Sequence, residues 1–252
     1  MDECEDAFDF SLEQRRVALA DGATESAFAD RWAQSLVKQF VLDPPFGVPP
    51  SEDATQLWIL PLQEEWRSGI NWAALPWFAE EKAKKGAFAT LLGLEFGGTE
   101  TVWQRVFSRS LPADEMTWNA FAVGDTCLFH VREQSLLCSF PLDKSEQFNS
   151  RPILLASNVI NNMSALKDIR AANGICHPGE TFFLATDALA KWILANNEAG
   201  QPPWDLLRGL KSEADFATLV AAQRDNQSMR NDDTTLLMLE WKPAATKTKQ
   251  TR

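Results

Sequence analysis

Apolar and polar positions alternate along this chain with two different periods, and each change of period marks an element. An alternation at 8–10 predicts a first strand, followed by a turn through 11–14. The run Val17, Ala18, Leu19, Ala20 predicts a second, buried strand, which Asp21 and Gly22 break. From 25 to 42 the period lengthens: Phe28, Trp32, Leu36 and Phe40 recur every four residues and give a helix one apolar face. Pro44, Pro45, Pro49 and Pro50 end that helix and form a stiff connector. Two further helical stretches follow at 52–67 and 72–85, with Pro61 and Pro76 expected to kink or interrupt them.

After Gly86 the period falls to two. AFATLLGLEF, TWNAFAVG, TCLFHVRE and SLLCSFP read as successive strands of an antiparallel meander joined by short turns. Residues 149–166 read mostly as loop, with a short apolar run at 153–155. TFFLATD is a strand, 188–197 a helix, and PPWDLLRGL and EADFATLVAAQRD are two more helices. TTLLMLEW is a final strand, and the basic segment 243–252 is expected to be a disordered tail. Strands stand first and last with helices between, and no internal repeat divides them. The pattern is that of a single α+β domain over 1–242.

Composition narrows the function classes. With 252 residues, 45% of them hydrophobic, the chain can bury a sizeable core. A net charge of -11 argues against a nucleic-acid backbone as partner, because phosphate binding needs surplus Lys and Arg. An acidic surface aids solubility, and carboxylates gathered around cations would add to the same balance. Cys4, Cys127, Cys138 and Cys176 are widely spaced, which speaks against a zinc cluster or a disulfide framework and fits a reducing compartment. The acidic N-terminus lacks the basic-then-apolar order of a signal peptide, and no apolar run approaches the roughly 18 to 20 residues of a membrane span. These features predict a monomeric cytoplasmic protein without a membrane or nucleic-acid partner. Trp32, Trp58, Trp66, Trp72 and Trp77 read as core and helix-packing residues, and His130 and His177 as structural or surface groups.

The candidate chemistry lies in acidic residues at strand ends. Glu5 and Asp6 precede AFDF, Asp21 ends RRVALAD, Asp187 ends TFFLATD, and Asp232 with Asp233 precedes TTLLMLE. Aspartate is also a good turn residue beside a strand. Strand ends of one sheet can nevertheless converge on one rim, where gathered carboxylates repel one another until a divalent cation supplies the compensating charge.

In that order CEDAF, VALADGATES, FAVGDTCLF, FFLATDALAKWI and RNDDTTLLM resemble the metal-dependent protein phosphatases of type 2C, from Glu5 to Leu239. The resemblance implies a four-layer α-β-β-α sandwich, two antiparallel sheets flanked by helices, with two Mn²⁺ or Mg²⁺ ions in a cleft at one end. It implies that Asp21 bridges both ions and that the Gly22 carbonyl binds one, while Asp187 and Asp232 complete the other. Glu5 and Asp6 match the acidic pair that orients metal-bound waters, the catalytic positions. Asp125 matches a motif position assigned to holding a turn between meander strands, and Asp143 stands near one that helps bind a third ion. The implied reaction is hydrolysis of phosphoserine or phosphothreonine in a protein substrate, with no phosphoenzyme.

Three departures qualify the resemblance. Many family members carry a phosphate-gripping arginine on a strand before the acidic pair. Here only four residues precede Glu5, so either the chain start is truncated or another cation takes that role; Arg15 and Arg16 fall at the wrong strand position. Ala23 and Thr24 stand where some members have a general-acid histidine, and Ala188 follows Asp187 where glycine is common. The alternative is a catalytically weak or inactive phosphatase-fold protein that binds a phosphoprotein or regulator.

Overall fold

A computed structural model describes residues 4–45, 51–97, 115–149 and 151–242. The chain runs through β1 (Ala7–Ser11), β2 (Arg16–Ala20), α1 (Ala29–Leu42), α2 (Glu52–Ser68), α3 (Trp77–Lys84), β3 (Phe88–Ala89) and β4 (Leu91–Phe96). It continues with β5 (Met116–Val123), β6 (Cys127–Arg132), β7 (Ser135–Phe140), β8 (Leu155–Ala156), α4 (Met163–Lys167) and β9 (Arg170–Cys176). The last elements are β10 (Thr181–Ala185), α5 (Asp187–Glu198), α6 (Trp204–Gly209), α7 (Glu213–Asp225) and β11 (Leu236–Glu240). One sheet has the order β1-β2-β4-β5-β9 and the other β11-β10-β6-β7, while β3 pairs with β8 in a small sheet of its own. Among the described residues all strand pairs are antiparallel.

The continuous apolar runs explain the four layers. Side chains alternate across a strand, so a run that is apolar throughout needs cover on both faces. In β2, Val17 and Leu19 point into the space between the sheets, while Ala18 and Ala20 face α1. In β10, Phe182 and Leu184 enter the same inter-sheet core, and Phe183 and Ala185 face α5 and α6 with Leu189, Ile193 and Trp204. Helices therefore cover the outer face of each sheet, which is the α-β-β-α sandwich expected from the resemblance. On α1 the four-residue period holds, and Trp32, Leu36 and Phe40 are fully buried. Phe40 comes so close to β4 that a Cβ on Gly93 would lie 2.1 Å from its ring, so only glycine leaves the slot open.

Several expectations are corrected. The helix begins at Ala29 rather than 25, because Phe28 adopts a left-handed conformation (φ 58°) and ends the preceding turn. Pro61 does not interrupt α2: it is exposed, and so is Leu57, whose carbonyl loses its helical donor on a face that water can reach. Pro76 does divide its stretch, into a 3₁₀ turn over Trp72–Ala74 and α3. The meander is split, since β4 and β5 pair in the first sheet and β6 and β7 in the second. AFATLLGLEF is likewise divided at Thr90, and 149–166 resolves into β8, a 3₁₀ turn and α4. Strand β9 escaped the sequence pattern altogether. RAANGIC has few large apolar residues, and it is an edge strand held by backbone pairing with β5. Pro49, Pro50 and the segment 243–252 lie outside the described residues. Among those described, no helix is long and apolar enough to cross a membrane.

Candidate metal centre

Antiparallel register brings the acidic residues to one rim. Ala7 pairs with Ala20, so the start of β1 and the end of β2 lie side by side, with Glu5 and Asp6 next to Asp21. In the other sheet Ala185 pairs with both Leu236 and Cys127, which sets Asp187, the turn before β11 and the β5–β6 crossing together. Asp6 ties the two sheets at this rim. Its Oδ2 accepts hydrogen bonds from Thr235 Oγ1 at 2.7 Å and Thr186 Oγ1 at 3.1 Å. The backbone N–H of Glu5 donates to Asp233 Oδ2 at 2.8 Å across the same gap.

Asp21 is held through its backbone, leaving its carboxylate for other work. Its N–H donates to Thr90 Oγ1 at 2.9 Å, and its carbonyl accepts from the Thr90 N–H at 2.9 Å. Thr90 Oγ1 is in turn 2.6 Å from Thr126 Oγ1. Gly22 is buried, and a Cβ there would stand 2.7 Å from the Glu5 carbonyl oxygen. Glycine at this position is thus a packing requirement of the rim itself.

The electrostatics are those of carboxylates without enough cation. Burial first, then the charges of Asp6, Asp187, Asp125 and Asp232, push the Asp21 carboxyl up to about 9. Burial likewise pushes Asp6 up to about 7, against the two threonine hydrogen bonds and helped by Asp233 and Asp187. Asp125 also rises to about 7, through burial and then the charge of Asp187. Burial raises Glu5 and Asp187 as well, although Arg230 opposes the shift at Asp187. Buried carboxylate oxygens without any hydrogen-bond partner include Glu5 Oε2, Asp6 Oδ1, Asp187 Oδ1 and both oxygens of Asp125. Buried oxygens left bare in this way suit hard divalent cations, which take six or more such ligands.

Both carboxylate oxygens of Asp125 are buried without a hydrogen-bond partner, and its charge acts on Asp21. Asp143, by contrast, is exposed, and its N–H bonds Gln147 Oε1 at 2.9 Å. It does not appear among the charges acting on Asp21, Asp6, Asp125 or Asp187.

The sequence reading also missed Arg230. One guanidinium nitrogen, Nη2, bonds Asp187 Oδ2 at 2.5 Å and also bonds Asp232 Oδ2. This residue is a tethered cation between two candidate ligands, and only its place two residues before Asp232 hinted at it. Consistent with that arrangement, no group of three or more His, Cys, Asp or Glu among the described residues is drawn together as a finished ion site. Arg16 lies at the opposite end of β2, where it pairs with Glu95 at 2.8 Å and caps the Leu42 carbonyl at 2.9 Å. His130 is buried and structural, with Nε2 2.6 Å from Glu180 Oε2 and its ring stacked on Phe182. Burial raises all four thiols, Cys176 to about 11, so none is an activated nucleophile.

Comparison with known proteins bears on the fold. No protein-family model matches the chain, and no curated protein matches it by sequence. Among solved structures, the Mycobacterium tuberculosis serine/threonine phosphatase PstP/Ppp is similar at a TM-score of 0.59 and 13% identity, over 96% of this chain and 94% of that one. The catalytic domain of PstP in complex with two manganese ions matches at a TM-score of 0.54 and 15% identity, over 95% and 92%. The chain covers 65% of the photosystem II phosphatase PBCP, with 77% of its own length, at a TM-score of 0.46 and 16% identity.

Proposed function

We propose that this chain, which has the fold of the metal-dependent type 2C protein phosphatases, hydrolyses phosphoserine and phosphothreonine in proteins as a soluble cytoplasmic enzyme. The observation that carries the reading is the rim of buried, underbonded carboxylates with Asp21 at its centre. Asp21, the Gly22 carbonyl, Asp187 and Asp232 are the groups that would hold two Mn²⁺ or Mg²⁺ ions. Bound there, such ions lower the pKa of coordinated water and neutralise phosphoryl oxygens during in-line displacement.

The chain's own residues supply the rest. Thr186 and Thr235 fix one oxygen of Asp6, so the other, unpartnered oxygen is left to accept a proton from water. Glu5 is anchored through its N–H to Asp233 and presents a second carboxylate beside it. Inert thiols make a cysteinyl-phosphate route unsupported. Arg230 favours a second reading, in which the rim binds a phosphoprotein with little turnover, because a guanidinium already spans Asp187 and Asp232.

One experiment separates the two. Hydrolysis of an aryl phosphate and of a phosphothreonine peptide is measured with Mn²⁺, with chelator, and in Asp21→Asn. The proposal expects turnover that both changes abolish. Turnover untouched by either change sinks the metal mechanism, and Mn²⁺ binding without turnover selects the second reading.

A further inference from the structure

Beside the carboxylate rim, a cavity of about 680 Å³ opens between α5 and the segment that follows α7. Its wall is net cationic. Against a net charge of -11, it carries Lys191, Arg224 and Arg230 and only Asp187 as a carboxylate. Asp187 and Lys191 stand one helical turn apart and so present to the same side. Lys191 is exposed and forms no ion pair among the described residues.

Arg224 adds a second cation to this wall. Its Nη2 is spent on the Asp232 carbonyl and on Thr234 Oγ1 at 2.9 Å, yet its Nε is buried with no acceptor. A buried cationic N–H without a partner is costly, and an anionic oxygen is its best complement. Asn149, Gln227 and Asn231 also line the wall.

We infer that this cavity is a second anion site, which holds an acidic or phosphorylated side chain lying close to the target phosphoresidue in the same peptide. The inference rests on the proposed function for what the neighbouring rim does. It goes beyond that reading by naming the substrate class: phosphopeptides with a flanking negative charge. The geometry is suitable because the cavity shares Asp187 and Arg230 with the rim. A neighbouring side chain is one or two residues away at roughly 3.3 to 3.6 Å each. Recognition rests on the free ammonium of Lys191, with the charge of the Arg224 guanidinium behind it and Trp192 and Met229 among the apolar lining.

The test uses three phosphothreonine peptides that differ only two residues from the phosphothreonine, where they carry alanine, aspartate or phosphoserine. Binding to the full chain is read by fluorescence anisotropy in chelator, and kcat/KM is read with Mn²⁺. The phosphoserine peptide is expected to bind roughly tenfold tighter than the alanine peptide, the worth of one charge-assisted hydrogen bond. Lys191→Glu, a change at an exposed position, should erase that ratio, and Lys191→Ala should reduce it. A preference for phosphoserine alone assigns the site to phosphate, and one shared by aspartate assigns it to anionic side chains in general. Equal affinities for the three peptides, or a ratio that survives Lys191→Glu, overturn the inference. If binding keeps the preference while no peptide is turned over with Mn²⁺, the anion site stands and the phosphatase reading falls.

Discussion

Asp21→Asn should stabilise the protein in chelator at neutral pH while removing its response to metal. In the unfolded chain this carboxyl ionises near 3.8, whereas in the fold it does so only at about 9. A group whose folded pKa is raised in this way binds a proton in the native state that the unfolded state has lost. Stability therefore falls as pH rises from about 3.8 and levels off above about 9. Each pH unit costs about 1.4 kcal/mol, so by pH 7 the carboxyl has cost roughly 4 kcal/mol. Asparagine keeps the shape of the protonated acid and removes the ionisation that favours unfolding. The figure is an upper bound, since residual structure in the denatured chain reduces it. The assay is urea denaturation in chelator between pH 4 and pH 8. The variant should match the parent near pH 4 and exceed it by a widening margin toward pH 8. Mn²⁺ should then stabilise the parent and leave the variant unchanged. A variant no more stable than the parent at pH 7, or a margin that does not close toward pH 4, refutes the reasoning.

Other consequences follow from particular contacts. Arg230→Ala should cost about 1 kcal/mol in chelator, a modest value because the guanidinium is half exposed, and the loss should vanish in Mn²⁺, as paired denaturation curves would show. Gly93→Ala drives a Cβ into the Phe40 ring and should destabilise by roughly 1–3 kcal/mol, part of which Phe40→Leu in the same chain should restore. His130→Ala removes a hydrogen bond to Glu180, which is 1% exposed, and the ring stacked on Phe182; a loss of roughly 2–5 kcal/mol is expected by thermal or urea unfolding, and an unchanged midpoint would contradict the buried contact.

The amino-acid sequence by itself determined the local elements and the strand-end placement of the acids. Period-four spacing of Trp32, Leu36 and Phe40 specifies a helix with one apolar face, and runs such as VALA and TFFLA specify strands buried on both sides. Those local patterns are intrinsic to the chain, because side-chain period depends only on backbone geometry. What they leave open is pairing. Whether β5 continues a meander with β6 or crosses to the other sheet depends on which partners bury the remaining apolar face, and that is decided only when both sheets are packed. Strand β9 was invisible for the same reason, since β5 supplies its hydrogen bonds and its own residues carry little apolar signal. At the rim, Asp21, Asp187 and Asp232 were legible as candidates from position alone. Asp125 and Arg230 were not: a bare pair of buried oxygens and a guanidinium between two carboxylates are properties of the assembled rim, not of any local window. Charge in a protein interior is governed by what lies within a few ångströms, and here those neighbours are separated by as many as 229 residues along the chain.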